Sequence, residues 1–164
     1  MKPFTPKLAL FVFVSILLTS CAPEDDGIYF EKINETKQTY SNIELDIFEL
    51  INNYRASKGL NRLEVLNIIS SVALTHTSYM VSTGKVSHDN FASRNENLVE
   101  NAKAISVGEN VAYGFSSAEG VVNAWLNSEG HRKIIENENY THFGISTEKN
   151  DKDRNYFTQM FIQK

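Results

Sequence analysis

The stretch Ser106–Gly114 reads SVGENVAYG, and its interpretation decides the fold of the whole chain. Glu109 and Asn110 stand here among valine, alanine and glycine residues, which predicts a short strand or extended segment that is at least half buried. A buried carboxylate is costly unless it is paired or hydrogen-bonded. The surrounding chain must therefore bring Glu109 a partner, either for chemistry or for architecture.

Helical patterns flank this segment on both sides. The first begins at a capping box, Ser41 with Glu44 three residues later, and repeats apolar residues at helical spacing. A second helix is predicted over residues 66–83, where a glycine follows as a stop signal. A third helix is predicted to begin at another capping box, formed by Ser116 and Glu119.

Two strand-like runs end the chain, HFGISTEK at 142–149 and RNYFTQMFIQ at 154–163. The charged turn NDKD separates them, which predicts a hairpin. Residues 91–101 are polar and mixed, so a short helix and a loop both stay open there, and SEGHRKIIEN at 128–137 predicts a further short helix or turn. These elements together predict an α+β fold in which helices pack on a small antiparallel sheet.

The first forty residues carry features of export. An apolar run at 8–18 follows two lysines and is shorter than the roughly 20 residues that a membrane-spanning helix needs, so residues 1–20 are predicted to be a secretory signal peptide. It ends in LTSC, which resembles a bacterial lipobox, cut before Cys21 and acylated there. An ordinary signal peptide with a stray thiol is the alternative. Residues 21–40 are then a lipid-anchored tether, and residues 41–164 are the folded domain.

Composition narrows the partners and the location. The formal net charge is −4 at pH 7 and lysine and arginine do not cluster, so nucleic acid is excluded as a partner. Cys21 is the only cysteine, so no internal disulfide can form. The expected location is extracytoplasmic, in the periplasm or at the cell surface, with membrane contact only through the acylated cysteine.

Four histidines could be partners for Glu109. His76 lies on the apolar face of the second helix, where a satisfied core residue is the usual outcome, and nothing local distinguishes His142. His88 and His131 each stand where the chain bends, one on either side of Glu109 in the sequence. Their spacing is too sparse for a local zinc motif, so spacing alone does not join the three residues.

Five ordered segments together resemble the CAP superfamily (cysteine-rich secretory proteins, antigen 5 and pathogenesis-related 1), in its disulfide-free bacterial branch. The segments are INNYRASKGLNRL, ALTHTSYM with SHDNFASR, GENVAYG, WLNSEGHRKII, and FGIS with YFTQMF. The resemblance covers residues 44–161, and it implies an α-β-α sandwich with a small antiparallel sheet between helices.

The resemblance also implies a cleft lined by His88, Glu109 and His131, with Asn110 and Ser128 as supporting residues. Many eukaryotic members carry a second glutamate at the position of Ser128, so this cleft holds less acid than theirs. Some relatives take up metal through the histidine pair, which makes His88 and His131 candidate zinc ligands and zinc the one candidate cofactor.

Three functions are compatible with such a cleft. We favour a lipid-anchored, non-catalytic binding module of the cell envelope, whose ligand is a small molecule, a peptide or a glycan. The second hypothesis is a metal-dependent or acid/base hydrolase that acts on an envelope peptide or polymer. The third is a scaffold in which the polar cluster is purely structural.

Overall fold

The computed structural model describes residues 39–164, besides Met1. The helices and strands follow in this order: α1 Asn42–Ser57, β1 Glu64–Val65, α2 Asn67–Thr83, α3 Phe91–Ala102, β2 Ser106–Tyr113, α4 Ala118–Asn127, α5 Glu129–Ile135, β3 His142–Lys149 and β4 Asn155–Gln163. The predicted signal peptide, the lipobox cysteine and nearly all of the tether lie outside the described residues. In the part that is described, no helix is long and apolar enough to cross a membrane.

The four strands form one sheet in the order β1-β3-β4-β2. The predicted hairpin is β3 with β4, in antiparallel register, and β2 joins the other edge of β4, also antiparallel. Strand β1 pairs with β3 in parallel and was not predicted, because two residues are too few to show any alternation. The sheet is therefore antiparallel apart from this short added pair.

Helices cover both faces of the sheet, which confirms the α-β-α sandwich. On one face, α1, α4 and α5 pack on a core that includes Ile47, Ile51, Trp125, Ile135, Phe143, Phe157 and Phe161. On the other face, α2 and α3 pack on Ile69, Val72, Leu98, Ala102, Met160 and Ile162. Alternate residues of β4 enter the two cores, as the period of two in a strand requires.

Helix α2 approaches the sheet closely at Gly144. A Cβ atom at that position would overlap the backbone nitrogen of Ser70, so only glycine leaves enough room. The Ser70 hydroxyl accepts a hydrogen bond from the backbone nitrogen of Ile145 at 3.1 Å. This contact fixes α2 against β3 and thereby sets the position of the helix that carries His76.

The end of α5 is held by a buried arginine from α1. Arg55 donates to the carbonyl oxygens of Ile135 at 2.6 Å and Asn137 at 2.9 Å, and its side chain is fully buried. A cation is favourable at a helix C-terminus, where carbonyl oxygens lack partners within the helix. Arg55 therefore anchors the helix that carries His131.

The structure corrects one predicted helix start and decides one segment for which the sequence favours neither helix nor loop. The N-cap of α4 is Ser117, whose hydroxyl accepts from the backbone nitrogen of Gly120 at 3.1 Å, so the predicted start at Ser116 was wrong by one residue. Residues 91–101 belong to α3, because Leu98 and Ala102 are buried against the α2 side of the sheet.

Candidate functional site

Strand β2 sends neighbouring side chains to opposite faces of the sheet. Glu109 lies opposite Met160 and faces the α2–α3 side, where Met160 belongs to the core. Asn110 lies opposite Gln159 and faces the side covered by α5. Since β2 is an edge strand, residues from both faces can meet around its free edge.

Glu109 is held by a two-pronged ion pair with Arg94 of α3. The Arg94 Nε atom lies 2.7 Å from one carboxylate oxygen, and Nη2 lies 2.8 Å from the other. Each side chain is 2% exposed, so the pair is fully enclosed. Arg94 Nη1 also donates to the carbonyl oxygen of Asp89 at 2.7 Å, which draws the loop before α3 into the same cluster. Such bidentate pairs combine strength with fixed geometry.

His88 is the second partner of Glu109. Its Nδ1 atom lies 2.7 Å from Glu109 Oε1, and its side chain is 54% exposed. An ionised carboxylate can only accept, so Nδ1 carries the hydrogen and donates it. The other ring nitrogen, Nε2, is then the atom that His88 offers to the surroundings.

His76 supports this loop from the core, and its burial agrees with the prediction, although its Nδ1 atom has no hydrogen-bond partner among the described residues. The side chain is completely buried, and Nε2 lies 2.7 Å from the carbonyl oxygen of Ser87 and 4.0 Å from Glu109. Burial lowers the pKa of His76, and the charge on Arg94 lowers it further, which outweighs the attraction of Glu109. A neutral His76 therefore pins the residue that precedes His88.

The Glu109 carboxylate stays ionised because of its partners. Burial on its own would raise the pKa of Glu109, but the hydrogen bonds from His88 and Arg94, together with the charge of Arg94, bring the pKa below its ordinary value. An acid whose pKa is lowered in this way is a poor proton donor near neutral pH. Glu109 is therefore suited to orienting His88.

His131 reaches the site from the other face. Asn110 Nδ2 donates to the backbone carbonyl of His131 at 3.3 Å, which ties α5 to the edge strand. Burial lowers the pKa of His131, and the nearby His88 lowers it further, so the two imidazoles lie within electrostatic reach. Among the described residues, no hydrogen bond or ion pair joins His131 to Glu109.

Ser128 and its neighbour Glu129 make no hydrogen bond or ion pair to the histidines of the site among the described residues. Ser128 is half-buried at the junction between α4 and α5, and its hydroxyl bonds to none of the residues that the structure describes. Glu129, the residue after Ser128, forms an exposed ion pair with Lys133 at 2.7 Å, so it does not replace the second glutamate that many eukaryotic members carry. Cys21 lies outside the described residues.

The ligand set does not fit a three-ligand zinc site. Within residues 39–164, no three His, Cys, Asp or Glu side chains are grouped so that they could hold a metal ion. Both oxygens of Glu109 are already occupied by Arg94, and one of them also by His88. Catalytic zinc usually takes three protein ligands and a water, so the His88–His131 pair falls short of that set.

Sequence reasoning missed Arg94 as a member of the site. The signal was available, because a carboxylate predicted to be buried needs a cation and Arg94 lies in the FASR part of a recognised segment. The sequence around Arg94 favours neither a helix nor a loop, so it does not predict the direction of this side chain.

A separate cavity of 280 Å³ lies beside the β3–β4 turn. Ile43, Gly114, Phe115, Ser116, Lys149, Asp153, Arg154 and Asn155 line it. None of the predicted site residues belongs to this lining, so the histidine site and the cavity are distinct places on the domain.

Similar proteins share the fold and, in part, the sequence. The uncharacterized membrane protein YlbC of Bacillus subtilis is 35% identical over 131 residues, covering 78% of this chain and 36% of YlbC. An extracellular protein of Bacillus anthracis that contains an SCP domain is 27% identical, with a TM-score of 0.65 over 78% of this chain and 45% of that one. The chain thus spans less than half the length of these two proteins.

A solved structure of nearly matching extent shows the same fold. An outer surface protein of Borrelia burgdorferi has a TM-score of 0.67 at 21% identity, over 78% of this chain and 99% of that one. The sequence profile of the cysteine-rich secretory protein family matches residues 48–161, and the chain therefore belongs to this CAP family.

Proposed function

We propose that the domain is a non-catalytic binding module of the bacterial cell envelope, whose cleft presents His88 and His131 to a polar ligand. A small molecule, a peptide or a glycan would each offer suitable hydrogen-bonding groups. The observation that carries the proposal is the hydrogen bonding of the Glu109 carboxylate. Because this carboxylate is fully engaged by Arg94 and His88, it orients an imidazole and is not free to act as a base or a metal ligand.

Hydrolysis has less support from the same geometry. A metal-dependent reaction would need a third protein ligand beside the two histidines, and the described residues do not group one there. An acid/base reaction that proceeds through a serine would need a hydroxyl hydrogen-bonded to an imidazole, and Ser128 makes no such bond to the described residues. The polar cluster is also more than a scaffold, since a purely structural histidine would not need a side chain that is 54% exposed.

The experiment is an unbiased capture. The purified domain is incubated with an envelope extract, and the small molecules, peptides and glycans that stay bound are identified by mass spectrometry. Capture by the wild type should be lost in His88→Ala and in His131→Ala. His142→Ala is the matched control, because His142 lies on β3 and pairs with Glu64 of β1, the strand at the opposite edge of the sheet. Equal capture by all four proteins would contradict the proposal.

The membrane anchor is a separate part of the proposal. The lipobox-like LTSC segment supports acylation of Cys21, and similar proteins described as extracellular or outer-surface support an extracytoplasmic location. Metabolic labelling with an alkyne fatty acid should label the full chain, and Cys21→Ser should abolish both the label and recovery in the membrane fraction. Membrane recovery of Cys21→Ser equal to the wild type would refute the anchor.

A further inference from the structure

Four buried polar atoms on the α5 side of the sheet have no hydrogen-bond partner among the described residues. They are both polar atoms of the Gln159 amide, the Asn110 carbonyl oxygen Oδ1 and His131 Nδ1. Gln159 and Asn110 are fully buried. Buried polar side-chain atoms nearly always find a partner in the protein or in ordered water, so several orphaned atoms in one place call for an explanation.

The three residues are neighbours in space. Asn110 and Gln159 are directly opposed in the β2–β4 register, which places their side chains on the same face about 5 Å apart at Cβ. Asn110 bonds to the backbone of His131 through its Nδ2 atom. Gln159 lies between Phe157 and Phe161, which both belong to the core under α1, α4 and α5. Its amide is therefore directed to the side of the sheet that carries His131.

We propose that Gln159 and Asn110 form a buried hydrogen-bond relay with His131 Nδ1, bridged by ordered water, and that this relay sets the tautomer of His131. Interior waters typically make about three hydrogen bonds to polar groups that would otherwise be unsatisfied. Gln159 is accordingly a positioning residue, since it acts on the cleft only through His131.

The relay also favours one of the two tautomers of His131. The two carbonyl oxygens can each accept two hydrogen bonds, four in all, whereas the Gln159 amide can donate two and the Asn110 amide only one more besides its bond to His131. Acceptors are therefore in excess, which favours a hydrogen on His131 Nδ1. His131 then offers Nε2 to the cleft, as His88 does because its Nδ1 donates to Glu109.

This inference deepens the proposed function, because it names the chemistry that the two histidines offer. Both present a hydrogen-bond acceptor, so the cleft is suited to a ligand that carries neighbouring donors. The tautomers can be read in the protein without any ligand. A failed capture experiment would therefore not affect the tautomer assignment. A wrong tautomer assignment would likewise not contradict ligand binding in the cleft.

The test is nitrogen NMR on the histidine rings at about pH 8, above the ordinary histidine pKa. In the wild type, the ring-nitrogen shifts of both His88 and His131 should report a hydrogen on Nδ1. Gln159→Met should change the tautomer ratio of His131 and leave that of His88 unaltered. Thr158→Val is the matched control, because Thr158 is the adjacent buried residue of β4 and bonds to Thr77 on the opposite face. An unchanged His131 ratio in folded Gln159→Met would overturn the inference.

Two further readouts do not depend on the tautomer. If the Gln159 amide is part of a hydrated relay, Gln159→Met should lower the Tm, whereas relief of a dry, unpaired amide would raise it. In the unaltered protein, the side-chain amide protons of Gln159 should show cross-peaks to bound water. A raised Tm in the variant, or no such cross-peaks in the wild type, would argue against the relay.

Discussion

Buried polar side chains of β2 differ in their hydrogen bonding between the two faces of the sheet. On the α2–α3 face, Glu109 is enclosed by Arg94 and His88, and each of its oxygens has a short partner. On the α5 face, Asn110 makes one long hydrogen bond, and the amide opposite it, Gln159, makes none to the described residues. The two faces thus differ in whether the buried group carries a charge.

The difference follows from what each group costs to bury. An ionised carboxylate in the interior is tolerated only with a close countercharge, so the position of Arg94 is tightly constrained. A neutral amide loses far less, and water can satisfy it. The charged group is therefore fixed by its protein partners, whereas water can satisfy the neutral amides.

Removing the buried charge of Glu109 on the α2–α3 face should have the largest effect on stability. Glu109→Ala leaves Arg94 buried without its countercharge, and we expect a loss of about 3–5 kcal/mol in the free energy of unfolding. Urea denaturation measures it. The control is Lys133→Ala, which breaks an exposed pair with Glu129 and should cost less than about 1 kcal/mol. Equal losses in the two variants would show that the buried pair contributes no special stability.

Adding a methyl group on each face should show how closely each is packed. At Gly144 the new Cβ meets the backbone of Ser70, which cannot move without shifting α2. At Gly108 it would lie 2.5 Å from the hydroxyl oxygen of Tyr140, the far end of a side chain. Overpacking typically costs about 1–3 kcal/mol, and we expect Gly144→Ala to lie at the upper end and Gly108→Ala at the lower. Denaturation curves that rank them in the opposite order would contradict this packing.

Acid should weaken the domain in two separate pH ranges. The pKa of His76 and the pKa of His131 lie below the ordinary 6.5, so the unfolded chain binds protons more readily and stability falls as the pH drops below about 6.5. The pKa of Glu109 lies below 4.5, so its contribution is present above that pH and is lost as the pH falls through the lowered value. Unfolding free energies measured from pH 8 to pH 3 should show both declines.

Variants separate the two ranges. We expect Glu109→Gln to flatten the lower decline and His76→Phe to reduce the upper one, each measured against the wild type. An upper decline of unchanged size in His76→Phe would mean that His76 is not among the groups that titrate there.

His88→Ala should have the smallest effect on stability. It removes one hydrogen bond to Glu109 at a largely exposed side chain, and Arg94 still satisfies both oxygens. We expect a loss of about 1 kcal/mol or less in thermal or urea unfolding, together with loss of ligand capture. A loss as large as that of Glu109→Ala would instead make His88 a structural residue.

Much of the fold could be predicted because its signals are local. The hairpin strands were found to within one residue, since a polar turn separates two apolar runs. The helix over 66–83 was found because its apolar face repeats and Gly84 adopts the left-handed conformation that ends it. Strand β1 could not be predicted, because a two-residue strand has no pattern. The N-cap of α4 was predicted one residue too early, because two adjacent serines are equivalent in sequence.

The site was predictable only in part. The resemblance to the family implies a cleft formed by His88, Glu109 and His131, and the structure places His88 in contact with Glu109. The sequence by itself determined that Glu109 would be buried and would need a partner, because its neighbours are apolar. Only the tertiary structure decided that the partner is chiefly Arg94, and that His131 is served from the opposite face by Asn110. The physical reason is that hydrophobic periodicity is a local property, whereas the countercharge for a buried acid comes from whichever element the folded chain packs beside it.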